Sequence, residues 1–326
     1  MLRTAIDTAR SLVLAGEEKA RLPIGRMFLL GILAGAYIGF GAHLATTVAT
    51  GEWESWGMQR FAVGAAFTVG LMLVVIAGAE LFTGNNLMTV ALCSRRIGMG
   101  GLLRNWLLVY VGNLVGSLVL ALMIAKWSGL LAGPVGGTAI KIAVGKTSIA
   151  QIEGINHNFA FFFRGIACNW LVCLAVLMAM ASKSVSGKFL GIFFPIMAFV
   201  SSGFEHCVAN MYFIPAGIFA KGFAAARAAC DVGAVQLAAV NWTTMWTQNM
   251  VSVTLGNIVG GGIFVGVSYF LANVCGREVA EEEAAAPARV RRVLTPEPGL
   301  VHPEPARAGE AQRGGVEGVD REGVAV

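Results

Sequence analysis

The chain has 326 residues, of which 56% are hydrophobic and only 13% charged, where a soluble domain carries about 25% charged residues. The formal charge of +5 comes from basic residues gathered in positions 1–26, in short connecting segments and after Gly276. That placement excludes a nucleic-acid surface and fits the edges of a membrane.

In chain order, residues 4–21 set Ile6, Leu12 and Val13 among charged side chains, the pattern of a short amphipathic helix at a membrane surface. The start, MLRTAIDTAR, lacks the apolar core of a signal peptide. Six apolar runs follow, at about 27–49, 62–92, 105–131, 159–181, 189–219 and 249–274. Each is long enough to cross a hydrocarbon core of ~30 Å as a helix. The second is interrupted at GAELFTGNN and the fifth at SSGFEHCVAN. The predicted class is all-α integral membrane, with six transmembrane helices.

Lys and Arg are concentrated on one side. Arg3, Arg10, Lys19, Arg21 and Arg26 precede span one, Arg95, Arg96 and Arg104 follow span two, and Lys183 and Lys188 follow span four. The first opposite loop holds only Arg60, and the two longer ones hold two basic residues each. Both termini are therefore predicted cytoplasmic. The segment 276–326 is rich in Ala, Pro, Glu, Gly and Arg and reads as a disordered cytoplasmic tail. The predicted organisation is an amphipathic cytoplasmic segment at 1–26, a channel domain at 27–275, and the tail.

An internal repeat carries the most information. Gly78-Ala-Glu80 with Asn85 matches Gly203-Phe-Glu205 with Asn210, and Asn105…Gly112-Asn113-Leu-Val-Gly116 matches Asn249…Gly256-Asn257-Ile-Val-Gly260. Both spacings agree and occur in the same order. Three spans per unit is odd, so the second unit is inverted, with a site near the midplane where the halves meet. Bare backbone at the two breaks is tolerated only inside protein or beside a polar cavity. Half-helices after such breaks aim N–H donors and positive dipole ends at the centre, which suits a small anion.

Glu80, Glu205 and His206 are the ionisable residues deepest in the spans, and such residues are functional candidates. The glutamates, like Asn85 and Asn210, also suit a structural role, accepting backbone N–H groups freed by the breaks. His206 has no symmetric counterpart, its match being Leu81, and an imidazole with an ordinary pKa near ~6.5 shuttles protons. Thr83 and Asn169 offer polar groups to an anion or to His206, or make helix–helix hydrogen bonds. Arg164 reads as snorkelling to the interface. No HExxH, GxSxG or paired-His spacing occurs, and the GKTS at 145–148 lacks the leading glycine of a phosphate loop, having Ile140 instead. No cofactor or metal site is predicted. The six cysteines (Cys93, Cys168, Cys173, Cys207, Cys230, Cys275) form no CxxC pair and read as packing.

The segments GAELFTGNNLM, CNWLVCLAV, GFEHCVANM and the two GN-[LI]-VG stretches resemble the formate/nitrite transporter family, over about residues 20–275. The formate branch is the nearer in flavour. The resemblance implies an aquaporin-like fold in an inner membrane, a homopentamer with one pore per protomer, and a central histidine matching His206. The family threonine matches Thr83 and the span-four asparagine Asn169. Of two apolar constrictions, the cytoplasmic one maps to Leu71 and Val172. The periplasmic one maps to Phe67, Leu81 and Phe199, with Phe82 close by. A family lysine in the outer vestibule falls by counting on Glu153, with Lys146 seven residues earlier. Either an insertion brings Lys146 into that role or the vestibule lacks its cation.

The function this implies is transport of a small monovalent anion with a proton, formate first, then nitrite, hydrosulfide or a short carboxylate. The competing classes are a membrane enzyme using Glu205 and His206, which lacks a nucleophile or metal set, and a receptor acting through the tail.

Overall fold

The computed structural model describes residues 2–148 and 154–276. Glu153 and the tail beyond residue 276 lie outside the described residues.

Helix α1 (Ala5–Arg21) is started by Thr4, whose Oγ1 accepts from the Asp7 N–H at 3.1 Å, and ends on Lys19 and Arg21. Acidic first turns and basic last turns both complement the helix dipole. The Thr4 hydroxyl, donating to the Asp7 carboxylate, holds that carboxyl below its usual pKa. The apolar face of α1 does not lie free on a bilayer. Ala9, Leu12 and Val13 are buried in a cluster with Leu87, Val90 and Leu177. The amphipathic pattern is the same for lipid and for protein, and here protein is the partner.

Among the described residues, six helices are long and apolar enough to span a membrane. The first unit holds α2 (Ile24–Ala49), α3 (Trp56–Met72) with a π-helical extension to Gly78, and α6 (Met99–Leu122) with a π-helical end at Trp127. Between α3 and α6 a half-helix runs through α4 (Phe82–Asn85), a 3₁₀ turn and α5 (Thr89–Cys93). Helix α7 (Pro134–Thr147) then opens the second unit as α1 opens the first. That unit has α8 (His157–Ala181), α9 (Val185–Ser202) and the half-helix α10 (Cys207–Ala220). Short helices α11 (Ala224–Cys230) and α12 (Ala234–Ala238) lead to the sixth span. It joins α13 (Trp242–Met245), α14 (Val251–Ile258) and α15 (Ser268–Asn273) through two π-helical stretches.

The two units repeat each other, and the breaks explain how. Gly78 and Gly203 stop spans two and five with φ of 87° and 80°, a region open to glycine without steric cost. The backbone then folds back identically: Ala79 N–H donates to Val74 O at 2.9 Å, and Phe204 N–H to Phe199 O at 3.1 Å. Close helix seams repeat as well. A Cβ on Gly112 of α6 would lie 2.9 Å from Phe28 O of α2, and one on Gly165 of α8 would lie 2.8 Å from Val253 O of α14. Small residues let such backbones touch, which is how membrane helices pack. The fold is an inverted repeat of three plus three spans with broken helices two and five.

Candidate functional site

The breaks at residues 79–81 and 204–206 are held open by asparagines from the neighbouring spans. In the first unit Asn113 Oδ1 accepts from Phe82 N–H at 2.9 Å, while its Nδ2 donates to Gly31 O at 2.8 Å and Glu80 O at 2.9 Å. In the second unit Asn257 Oδ1 accepts from Cys207 N–H at 2.9 Å, and its Nδ2 donates to Gly165 O at 2.8 Å and Glu205 O at 2.9 Å. Buried backbone groups freed by a break need partners; one carboxamide supplies two of them and ties the break to a carbonyl of the adjacent span, Gly31 O or Gly165 O. The spacing of these asparagines was visible in the sequence, but their bracing role was not.

The two glutamates are partnered by side chains rather than by backbone N–H groups. Asn85 Nδ2 donates to Glu80 Oε2 at 2.7 Å and to Asn105 Oδ1 at 2.8 Å. Asn210 Nδ2 donates to Glu205 Oε2 and to Asn249 Oδ1, both at 2.7 Å. Each carboxylate also meets one lysine. Lys146 Nζ on α7 stands 3.0 and 2.9 Å from the two oxygens of Glu205, and Lys19 Nζ on α1 stands 2.5 Å from Glu80 Oε1. Lys146 thus reaches the break, while Glu153 lies outside the described residues. No spacing in the sequence marks Lys19 as its mate, because the charges of α1 have the pattern of a surface helix and not that of α7.

Two cavities open on these breaks, and no residue lines both. The α7-side cavity, about 320 Å³, reaches Glu205, His206, Phe67 and Phe199. The α1-side cavity, about 510 Å³, reaches Glu80, Leu81 and Leu71. Leu81 therefore accompanies Leu71, not Phe67 and Phe199 with which the resemblance grouped it; it is the repeat mate of His206 and faces the opposite way. Val172 lines neither cavity, and Val176 one turn on lines the α1-side one. Phe82 turns to Tyr110 and Trp106, with ring centroids 5.0 and 6.1 Å away.

At the centre, Thr83 Oγ1 and His206 Nε2 are 2.8 Å apart, both residues buried. His206 caps α10: its Nδ1 accepts from Ala209 N–H at 3.0 Å. An accepting Nδ1 puts the proton of a neutral ring on Nε2. Nε2–H then donates to Thr83, whose own hydroxyl hydrogen is left to donate elsewhere. The ring lies nearly parallel to Phe199, centroids 5.9 Å apart, and Phe199 meets Phe67 edge-on at 5.7 Å. Asn169 does not turn to His206. Its Nδ2 donates to Thr83 O at 3.2 Å and Asn257 O at 2.7 Å, tying the first half-helix to the second unit. Arg164 lines the α7-side cavity, with its guanidinium 5.2 Å from the Phe161 ring.

Two cavities on broken helices of an inverted repeat, separated by an apolar floor with one polar pair, define a multi-pass membrane channel or carrier. The model of the family described as Formate/nitrite transporter matches residues 6–271, and the chain belongs to that family. It is similar to the probable formate transporter of Methanothermobacter thermautotrophicus, 42% identical over 280 residues, covering 82% of this chain and 96% of that one. It is also similar to the formate channel FocA of Escherichia coli K12, 37% identical over 266 residues, covering 79% and 90%. A solved pentameric formate channel with formate bound superposes with a TM-score of 0.69 at 39% identity, covering 76% of this chain and 97% of that chain. These relatives are transporters and channels, not enzymes.

Proposed function

We propose that the protein conducts a small monovalent anion, formate first, through one pore per protomer of a homopentamer in an inner membrane, with both termini cytoplasmic. The α1-side cavity is then the cytoplasmic vestibule and the α7-side cavity the outer one. The observation that carries this reading is the Thr83–His206 pair at the meeting of two half-helices, beside Phe67 and Phe199. An anion crossing an apolar ring sheds its hydration, at a high cost for a charged species. Thr83 offers it a hydroxyl donor. A proton delivered by His206, or through water that His206 orders, turns formate into formic acid, and the neutral acid passes Leu71, Leu81 and Val172 at far lower cost. The relatives named for formate support that choice of substrate; nitrite is the second reading, being alike in size and charge.

The test is formate flux into proteoliposomes at two pH values, with nitrite and hydrosulfide alongside. Formate entry that rises at lower pH is expected. His206→Leu copies the residue already present at the mate position, Leu81, so it is expected to fold. In this variant the pH dependence disappears and formate flux falls at least tenfold. An unchanged pH profile in His206→Leu overturns the proton step, and preference for nitrite overturns the substrate.

A further inference from the structure

The α7-side cavity holds more positive charge than the repeat requires. Arg60, Lys141, Lys146 and Arg164 line it, against one carboxylate, Glu205, and one imidazole, His206. Glu205 is already engaged by Lys146, 2.9 Å away. The α1-side cavity repeats that pair as Lys19 and Glu80 and adds only Arg26. The other three cations on the α7 side have apolar mates. Arg164 matches Leu30, since each gives its carbonyl to the glutamate N–H that follows the break, at 3.2 Å in both units. Five residues before Lys146 stands Lys141, and five before Lys19 stands Leu14. Eighteen residues before Gly203 stands Val185, and eighteen before Gly78 stands Arg60. The pore architecture keeps a lysine and a glutamate on both sides and does without the extra three on one.

Ion pairing does not account for them either. Arg60 donates Nε to Ser201 O at 3.0 Å, rests 5.7 Å from the Trp56 ring and sets Nη2 against Gly203, while among the described residues no hydrogen bond or ion pair engages its two Nη groups. Arg164 rests on Phe161, and Lys141 is solvent-exposed. Among the described residues no carboxylate pairs with any of the three. A neighbouring cavity between the start of α3 and α7 shares Arg60, Val63, Lys141 and Ile142 with this one. Arg60 and Lys141 therefore stand where the two cavities meet.

We propose that Arg60, Lys141 and Arg164 form a docking site for a small doubly charged oxyanion, which binds in the α7-side vestibule and obstructs it without being carried. A dianion gains twice the attraction of a monoanion from each fixed cation. The planar guanidinium fork matches an oxyanion edge. The same dianion is barred from Phe67 and Phe199, because the desolvation cost of an ion rises steeply with its charge. A monoanion is held weakly and moves on.

Sulfate is the probe, since it stays doubly charged across the working pH range. The binding half of the proposal does not depend on transport; the obstruction half rests on the reading that formate passes this vestibule. Calorimetric titration of the purified, detergent-solubilised protein, at ionic strength fixed with gluconate, is expected to show saturable sulfate binding. Lys141→Gln, at an exposed site where folding is not at stake, is expected to weaken it roughly two- to fivefold, and the double variant with Arg60→Gln to remove it. In a planar bilayer, sulfate added to the α7 side lowers formate current, the same variants relieve the block by the same factor, and sulfate on the α1 side has no effect. Absence of saturable binding, or binding indifferent to Lys141→Gln, overturns the site. Binding without block in a protein that conducts formate overturns the obstruction.

Discussion

Asn257 serves three backbone groups with one side chain, and so does Asn113, with the same distances of 2.9, 2.8 and 2.9 Å. Replacing either with Leu strands the N–H that opens the half-helix and the glutamate carbonyl in a buried setting, and frees the carbonyl of Gly31 or Gly165 from its second donor. Each such group costs about 1–3 kcal/mol when no substitute partner is found, although hydrogen bonds inside membrane proteins average nearer ~0.6 kcal/mol. Asn257→Leu and Asn113→Leu are thus expected to lower the unfolding free energy by about 2 kcal/mol each, read as a fall in Tm of the detergent-solubilised protein. The two losses are expected to be equal, and a fall in only one of them argues against equivalent breaks. At Thr83 the stake is functional. Thr83→Val leaves the His206 Nε2–H without its acceptor, so formate flux is expected to drop at least tenfold, and Thr83→Ser to restore it. Much at this scale was legible beforehand. Glu80, Asn85, Glu205 and Asn210 are fixed by a local spacing, and His206 stands out as a histidine where its mate is leucine. What stayed hidden were the partners. The Glu80–Lys19 pair joins positions far apart in the chain, and no local spacing encodes it.

At the scale of elements, α1 and α7 are the pair that the sequence leaves hardest to recognise. They share no motif, one being charged and amphipathic and the other mostly Gly, Ala, Ile and Val. Yet each ends by delivering a lysine to the glutamate at a break. The equivalence appears only once Lys19 and Lys146 are seen on Glu80 and Glu205. The apolar face of α1 was legible, but periodicity does not say whether lipid or a neighbouring helix covers it. The consequence is electrostatic. Without its lysine, each carboxylate is a fixed negative charge in a vestibule of restricted water. At an effective dielectric of ~20, two charges 4 Å apart interact by about 4 kcal/mol. Even a small part of that, applied to a passing anion, is a large factor in rate. Lys146→Gln and Lys19→Gln are therefore each expected to reduce formate flux about tenfold at low ionic strength, and less in high salt. Adding Glu205→Gln to the first, or Glu80→Gln to the second, is expected to recover most of the loss. Measurement of proteoliposome flux at two salt concentrations decides the matter. Failure of the glutamate variants to rescue would mean the lysines act by touching the anion, not by neutralising the carboxylates.

Across the whole molecule, the seams α2–α6 and α8–α14 carry the repeat. They are made of glycines rather than of interlocking large side chains. Gly31 and Gly112 meet backbone to backbone in the first unit, and Gly165 and Gly256 do so in the second. Such contacts set the distance between spans, and that distance decides whether Asn113 and Asn257 reach across to the breaks. The bracing of the centre therefore depends on glycines one or two turns away, although none of them borders either cavity. The repeat itself was readable, since the two GN-[LI]-VG stretches keep the glycine and asparagine in register. The seam was not, because a glycine in an apolar run looks the same whether it faces lipid or another backbone. Gly165→Val places a Cβ 2.8 Å from Val253 O and two further carbons beyond it. A backbone carbonyl does not swing aside as a side-chain end does, so α8 and α14 must separate and Asn257 loses Gly165 O. Gly25→Val, at a position of α2 with nothing within 4 Å of its added Cβ, makes the same change of side chain without the collision. Size-exclusion chromatography and thermal unfolding are expected to show Gly165→Val as aggregated or strongly destabilised and Gly25→Val as close to the parent. Equal behaviour of the two would mean that the seam yields, and that the asparagine braces hold the breaks without it.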